Sequence, residues 1–303
     1  MKLFSIRRAL IAVYGLVFFW SAKQFGLPVD RIAVVLWLLG ALVCGNFGKP
    51  MREQRAMVRD WAILVALLFA YEYSRGIADQ LGTRVHMTAI RDIDRFLFFG
   101  NDPNVWVQNH FNISRKVSWY ELPLAVVYMT HFVFPVAIAV VLWLSNRRQW
   151  DRYMRRFALL LGAGVATYIL FPVAPPWMAA RDGYIGDIAR ITARGWRSMG
   201  LSTVSKVFDR GKEITNPVAA LPSLHAAFSL LVVVFFFKWM STPWRIISLI
   251  LPVSMAFALV YFGEHYVTDI LAGWLYVGAA SYVATRYEHK KLVASAVAET
   301  TSS

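Results

Sequence analysis

Cysteine is almost missing from this chain of 303 residues. Cys44 is the single one, set in an apolar run. An internal disulfide is thereby excluded, and so is a metal cluster built on paired cysteines. Charge is scarce as well. Only 17% of residues are Asp, Glu, Lys or Arg, where a soluble domain carries about a quarter. Acidic residues are the rarer sign, 18 against 32 basic. Internal repeats and low-complexity domains are missing, which counts against a transporter built from inverted halves. No small-residue cleavage site follows the first apolar run, so that run is expected to be a retained span.

What fills the chain is apolar and aromatic. Hydrophobic residues make up 58% of it, with 12 Trp, 13 Tyr and 21 Phe, and the mean hydropathy is +0.48. The apolar residues come in blocks of membrane-spanning length, which predicts an all-α polytopic membrane protein. About eight transmembrane helices are expected, near 8–26, 30–48, 59–78, 118–144, 154–173, 222–240, 243–262 and 266–286. Many of the Trp residues fall at span ends, as interfacial anchors do.

The net charge of +14 would suggest nucleic acid on a soluble protein. Here the basic residues gather in short loops between apolar runs, so they report topology and no nucleic-acid partner is expected. The N-terminus, KPMREQRAMVR, NRRQWDRYMRR, Lys238 with Arg245, and RYEHKK all fall on one side of an eight-span bundle. That side is the cytoplasm by the positive-inside rule, with both termini on it. Residues 1–58 then form two N-terminal transmembrane helices, 59–288 a six-helix membrane core, and 289–303 a disordered cytoplasmic tail. Segment 86–115, broken by Asn101-Asp102-Pro103, reads as an interfacial helix, and 174–221 as an outer loop. Arg190, Arg194, Arg197, Lys206, Arg210 and Lys212 give that loop a positive cast suited to anionic headgroups, or to a merely solvated surface.

Three stretches then share the extracytoplasmic end: FPVAPPWMAARDG (171–183), ALPSLHAAFSL (220–230) and YFGEHYVTDILAG (261–273). Pro222 suits the first turn of a helix. Ser223 and the free N–H groups of that turn can hold a phosphate, with His225 beside it. His265 and Asp269 are four residues apart and so lie on one helical face. A carboxylate there fixes the imidazole tautomer and leaves the other ring nitrogen basic. Alone, the first stretch also fits an ordinary helix start, and the second a buried pair that only supports packing. Their convergence favours a site for nucleophilic chemistry.

The pairing of LPSLHAAF with GEHYVTDILAG resembles the type 2 phosphatidic acid phosphatase superfamily. It is more similar to the branch that contains inositol phosphorylceramide synthase, an inositolphosphotransferase. The resemblance covers about residues 59–286 and implies a metal-free, cofactor-free lipid phosphatase or phosphotransferase acting on lipid phosphates or phospholipids in the cell membrane. It implies His265 as the nucleophile that becomes a phosphohistidine, Asp269 as its orienting carboxylate, His225 as general acid and Ser223 as a phosphate contact. The chain departs from the superfamily in its cations. Ala258 and Leu259 stand where a Ser-Arg pair is usual, and Trp177 follows Pro176 where the branch often has arginine. Arg181 and then Arg75, near Glu72, are the candidates for the phosphate clamp. His131, in mid-span, reads as a packing histidine. A transporter or a catalytically inactive scaffold is the alternative of another class.

Overall fold

A computed structural model describes residues 2–25, 31–112, 117–198 and 216–301. The described residues are helical, with thirteen α-helices and no strand beyond isolated bridges. They divide into two compact units, Met1–Tyr73 with Thr192–Asn216 and Ser74–Ile191 with Pro217–Ser303. Lys206, Arg210 and Lys212 of the basic loop lie outside the described residues, as do the side chains of Glu72, Arg75 and Arg197.

The first unit pairs α1 (Lys2–Phe25) with α2 (Arg31–Asn46). Trp37 is gripped edge-on by Tyr14 and Phe18, ring centroids 5.3 and 5.1 Å away. The long helix α3 (Met51–Gln80) follows and belongs to this unit up to Tyr73, as does the short helix α9 (Arg194–Ser198).

The second unit holds a bundle of α6 (Glu121–Ser145), α7 (Arg147–Leu170), α10 (Leu224–Phe236), α12 (Ile250–Tyr261) and α13 (Val267–Thr301). A short helix α11 (Thr242–Ser248) leads into α12. Three stretches are long and apolar enough to cross a membrane: Glu121–Ser145, Thr242–Tyr261 and Val267–Ser295. Leu36–Asn46 and Leu224–Trp239 are shorter apolar helices. Tyr153, Leu160, Leu231 and Met255 are sealed in the bundle core, and Phe157 stacks flat on Phe228 at 4.6 Å.

Helix ends differ from the sequence expectation for identifiable reasons. MREQRAMVR and RRQWDRYMRR, expected as loops, are wound into α3 and α7. Arg, Gln, Met and Ala are good helix formers, and neither stretch contains Gly or Pro to stop the turn. The Asn146 side chain accepts from the Gln149 N–H and so starts α7 there. For the same reason α13 runs through 289–301, where a disordered tail is expected: EHKKLVASAVAETT holds no breaker. At this end Glu288 gathers Arg152, Arg155 and Arg156, with N–O distances of 3.1, 2.8 and 2.7 Å.

The segment expected to be one interfacial helix is two, α4 (Ala89–Leu97) and α5 (Pro103–Phe111). Asn101-Asp102-Pro103 makes the break, and Pro103 opens α5 because its missing N–H is not needed in a first turn. Arg95 closes the corner with a two-pronged ion pair to Asp102 at 2.8 and 2.7 Å. This pair raises the Arg95 pKa further. α4 buries Ile90 and Asp94, while Phe96 and, beyond the helix end, Phe99 stay open. α4 packs on α13 and α5 on α12.

Candidate active site

The three stretches singled out in the sequence meet at one end of the bundle. Backbone bridges run from His86 to Val173 and from Val173 to Ala219. The Val173 N–H donates to the Val218 carbonyl at 2.9 Å, so FPVAPPW is tied to the chain entering α10. Pro176 opens the short helix α8 (Pro176–Arg181), and the Trp177 N–H donates to the Gly263 carbonyl at 3.1 Å. The Ser223 N–H donates to the Asp269 carbonyl at 2.9 Å. These bonds link all three stretches without a ligand.

Ser223 is the N-cap of α10, and its hydroxyl oxygen accepts from the Ala226 N–H at 3.3 Å. Pro222 therefore precedes the helix and does not sit in its first turn; its carbonyl accepts from Tyr168 Oη at 2.7 Å. With Ser223 as cap, the side chain of His225 is the second of the helix. Its ring is stacked between Tyr128, 4.6 Å away, and His131, 3.8 Å away. His131 thus packs directly on a candidate catalytic ring, a contact that its mid-span position did not reveal.

The second histidine lies opposite. The rings of His225 and His265 are 5.6 Å apart between centroids, a spacing one phosphoryl group can bridge. His265 Nδ1 faces Asp269 Oδ2 at 3.4 Å, and the same oxygen accepts from the Tyr266 N–H at 2.9 Å. His265 and Asp269 are 5% and 0% exposed. Two more buried polar atoms of this cluster, His225 Nε2 and Asp269 Oδ1, have no hydrogen-bond partner among the described residues. Each such atom costs about 1–3 kcal/mol while it stays unpaired, and a bound ligand is one way such groups find partners.

The 262–266 turn is held by residues that the sequence did not single out. Asn104, fully buried on α5, donates to the carbonyls of Val260 and His265, both at 3.0 Å. Gln108, one turn on, donates to Tyr261 and Ala189 at 2.8 Å and accepts from the Ala189 N–H at 2.9 Å. Their i, i+4 spacing on a segment of mixed polarity was the available signal. Asp94 of α4 receives the Val267 and Thr268 N–H groups at 2.9 and 2.8 Å and the Thr268 hydroxyl at 2.5 Å. It caps α13 from another helix, just after His265. Burial pushes its pKa up, and the bonds from Thr268 and Val267 pull partly the other way.

Two glycines make the approach of these elements possible. Gly263 has φ +73°, and a Cβ there would lie 2.7 Å from Ile188 Cγ2. At Gly273 a Cβ would lie 2.4 Å from the Ser223 carbonyl oxygen, so α13 reaches α10 only because that side chain is missing.

The candidate cations fall in different places. Arg181 is largely exposed and paired with Asp182 at 2.6 Å; the hydrogen bond from this guanidinium holds the Asp182 carboxyl below its usual range. Arg75 lies on α3, and its side chain is outside the described residues. Arg190, one of the loop cations, is bound to Glu264, the neighbour of His265, through Nε and Nη2 at 2.8 and 3.0 Å. Beside the site, an apolar groove of about 600 Å³ runs between α5, α12 and α13, with Val267 and Ile270 in its wall.

Comparison with known proteins agrees with this arrangement. Residues 88–283 match the PAP2 superfamily, well over half of the chain. The chain is also 26% identical, over 277 residues, to a phosphoinositol dihydroceramide synthase of Bacteroides thetaiotaomicron. That alignment takes in 87% of this chain and 86% of the relative. No solved structure gives a significant match. All three converging stretches lie inside the matched region, and the chain belongs to the PAP2 superfamily.

Proposed function

We propose that this chain is an integral membrane lipid phosphotransferase that moves an inositol-phosphate group onto a lipid hydroxyl through a phosphohistidine. The observation that carries the reading is the buried meeting of His225, His265 and Asp269, with the two imidazole rings 5.6 Å apart and His265 Nδ1 3.4 Å from Asp269 Oδ2. The similarity to a phosphoinositol dihydroceramide synthase supports the choice of headgroup and acceptor.

In this mechanism Asp269 faces Nδ1 of His265, which keeps the proton there and leaves Nε2 with its lone pair. Nε2 attacks phosphorus and the P–O bond to the donor alcohol breaks. His225 gives that oxygen its proton. The acceptor hydroxyl then loses its proton to the same imidazole and attacks phosphorus, and the P–N bond breaks. His265 is regenerated and His225 is protonated again. Ser223 uses its oxygen as a cap acceptor, so its O–H is free to donate to a phosphate oxygen. The first-turn N–H groups of Leu224 and His225 and the helix dipole add to the stabilisation of the spreading negative charge. Arg181 and Arg75 are the further cations proposed to meet the phosphate. The groove between α5, α12 and α13 takes an alkyl chain of the lipid.

The proposed setting is a bundle of about eight spans with a six-helix core, both termini cytoplasmic and the site extracytoplasmic. The one-sided basic loops support that orientation. A lipid phosphatase is the same chemistry with water as acceptor.

The test uses the purified full chain in detergent with phosphatidylinositol and a ceramide acceptor, and His265→Ala as the blank. A new phosphodiester lipid that disappears in the variant supports transfer. Free phosphate from lipid phosphates in its place shows a phosphatase. Equal turnover by wild type and variant, or none from well-folded wild type on any lipid phosphate, overturns the reading and favours a transporter or scaffold.

A further inference from the structure

The most elaborate charged contact at the rim of the site is not explained by the histidine chemistry. Arg190 grips Glu264 with two donors of its guanidinium. The same guanidinium lies 4.6 Å from the centroid of the Trp177 ring. Trp177 is itself fixed, through its backbone N–H, to Gly263. The chain before Arg190 is fixed by Gln108, which bonds both backbone groups of Ala189. Stacking and backbone anchoring therefore keep this cation beside the 263–265 turn independently of the glutamate. The Arg190 and Glu264 side chains are 24% and 8% exposed, so a ligand can reach the pair from one side.

A guanidinium fork matches a phosphate as well as a carboxylate, with two parallel N–H···O bonds. Transfer of a phosphoryl group also needs fixed positive charge near the reacting oxygens. We infer that Arg190 is a phosphate-binding residue of this site, and that Glu264 is a built-in stand-in for the ligand, holding the two donors until a phosphate oxyanion takes them. The inference rests on the reading that a phosphoryl group reacts at His265. The stand-in holds Nε and Nη2 of the guanidinium on a carboxylate before a ligand arrives. With it, binding exchanges one anion for another on a cation already in position, which lowers the ordering cost of binding. The arrangement also makes Glu264 a competitor of the substrate.

The competition gives the test a sign that a structural ion pair does not share. Equilibrium binding would be measured on the purified full chain in detergent, with inorganic phosphate and, separately, phosphatidylinositol in mixed micelles. Arg190→Gln is expected to weaken binding at least about tenfold, and Glu264→Gln to tighten it several-fold. Arg190→Lys should fall between wild type and Arg190→Gln. Loss toward both probes places Arg190 on the phosphate itself; loss toward the lipid alone places it on a lipid-borne headgroup. Unchanged binding in a folded Arg190→Gln protein overturns the inference. So does Glu264→Gln binding as weakly as Arg190→Gln. If Arg190→Gln does not fold, Arg190→Lys and Glu264→Gln decide by the same signs. Binding needs no turnover, so a negative result here leaves the His265→Ala outcome standing, and the reverse also holds.

Discussion

Gly273 of α13 passes so close to Ser223 that a Cβ on it would lie 2.4 Å from the Ser223 carbonyl oxygen. This contact sets how near the helix bearing Asp269 comes to the start of the helix bearing His225. Gly273→Ala must push the two apart, because the obstructing atom is backbone and cannot rotate away. Overpacking of this kind costs about 1–3 kcal/mol. The expected outcome is a lowered unfolding temperature in detergent and a larger loss in kcat than in lipid affinity, read by thermal unfolding and by turnover.

Asp269→Asn keeps the shape of the side chain but removes the charge that faces His265 Nδ1. The amide can present its N–H₂ to the ring and favour the wrong tautomer. Turnover should fall on the order of 10²–10⁴-fold, with substrate binding nearly unchanged. Steady-state kinetics on detergent-solubilised protein separate the two. An equal fall in affinity would show that Asp269 shapes the pocket instead of the nucleophile.

Asp94 gives a pH prediction. Burial raises its pKa in the folded chain, so ionising it favours the unfolded state. Its contribution to stability is then whole below the unfolded pKa of about 4 and declines as pH rises through the raised folded value. Asp94→Asn should flatten that decline, measured as the unfolding midpoint at several pH values from about 4 to about 8. Asparagine offers one acceptor oxygen in place of two, so one of the bonds to Val267 and Thr268 is lost. About 1 kcal/mol should go with it.

Glu288→Gln tests the opposite end of the bundle. The substitution strips the carboxylate from Arg152, Arg155 and Arg156, of which Arg156 is buried. Glu288 is only half-buried, so the loss lies between that of an exposed and of a buried pair, about 1–3 kcal/mol. The variant should unfold earlier while retaining its KM at permissive temperature, since the cluster lies away from the histidines. A selective change in KM would argue against that separation.

The site histidines were legible because their signals are local. Pro-Ser-x-His at a helix start and His with a carboxylate four residues on are short patterns with direct chemical meaning. The membrane class was legible from the length of the apolar runs. The residues that hold the turn were not. Asn104 and Gln108 reach carbonyls more than 80 residues away in sequence, and Asp94 caps a helix that begins 173 residues later. No helical period or motif encodes such partners. Helix ends were misplaced for a related reason. Charged stretches such as RRQWDRYMRR mark loops in a hydropathy reading, but arginine is a good helix former, and Glu288 supplies the countercharge that lets this stretch stay helical.

The carbonyl of His265 hangs from Asn104, and that of Tyr261, just before the turn, from Gln108. The proposed nucleophile is thus positioned from the short helix α5 as well as from the long apolar ones that deliver it. A bilayer that thins, thickens or tilts acts on the long helices first. Through α5 the turn has an anchor outside the long helices, so the proposed nucleophile should follow the bilayer less closely than those helices do.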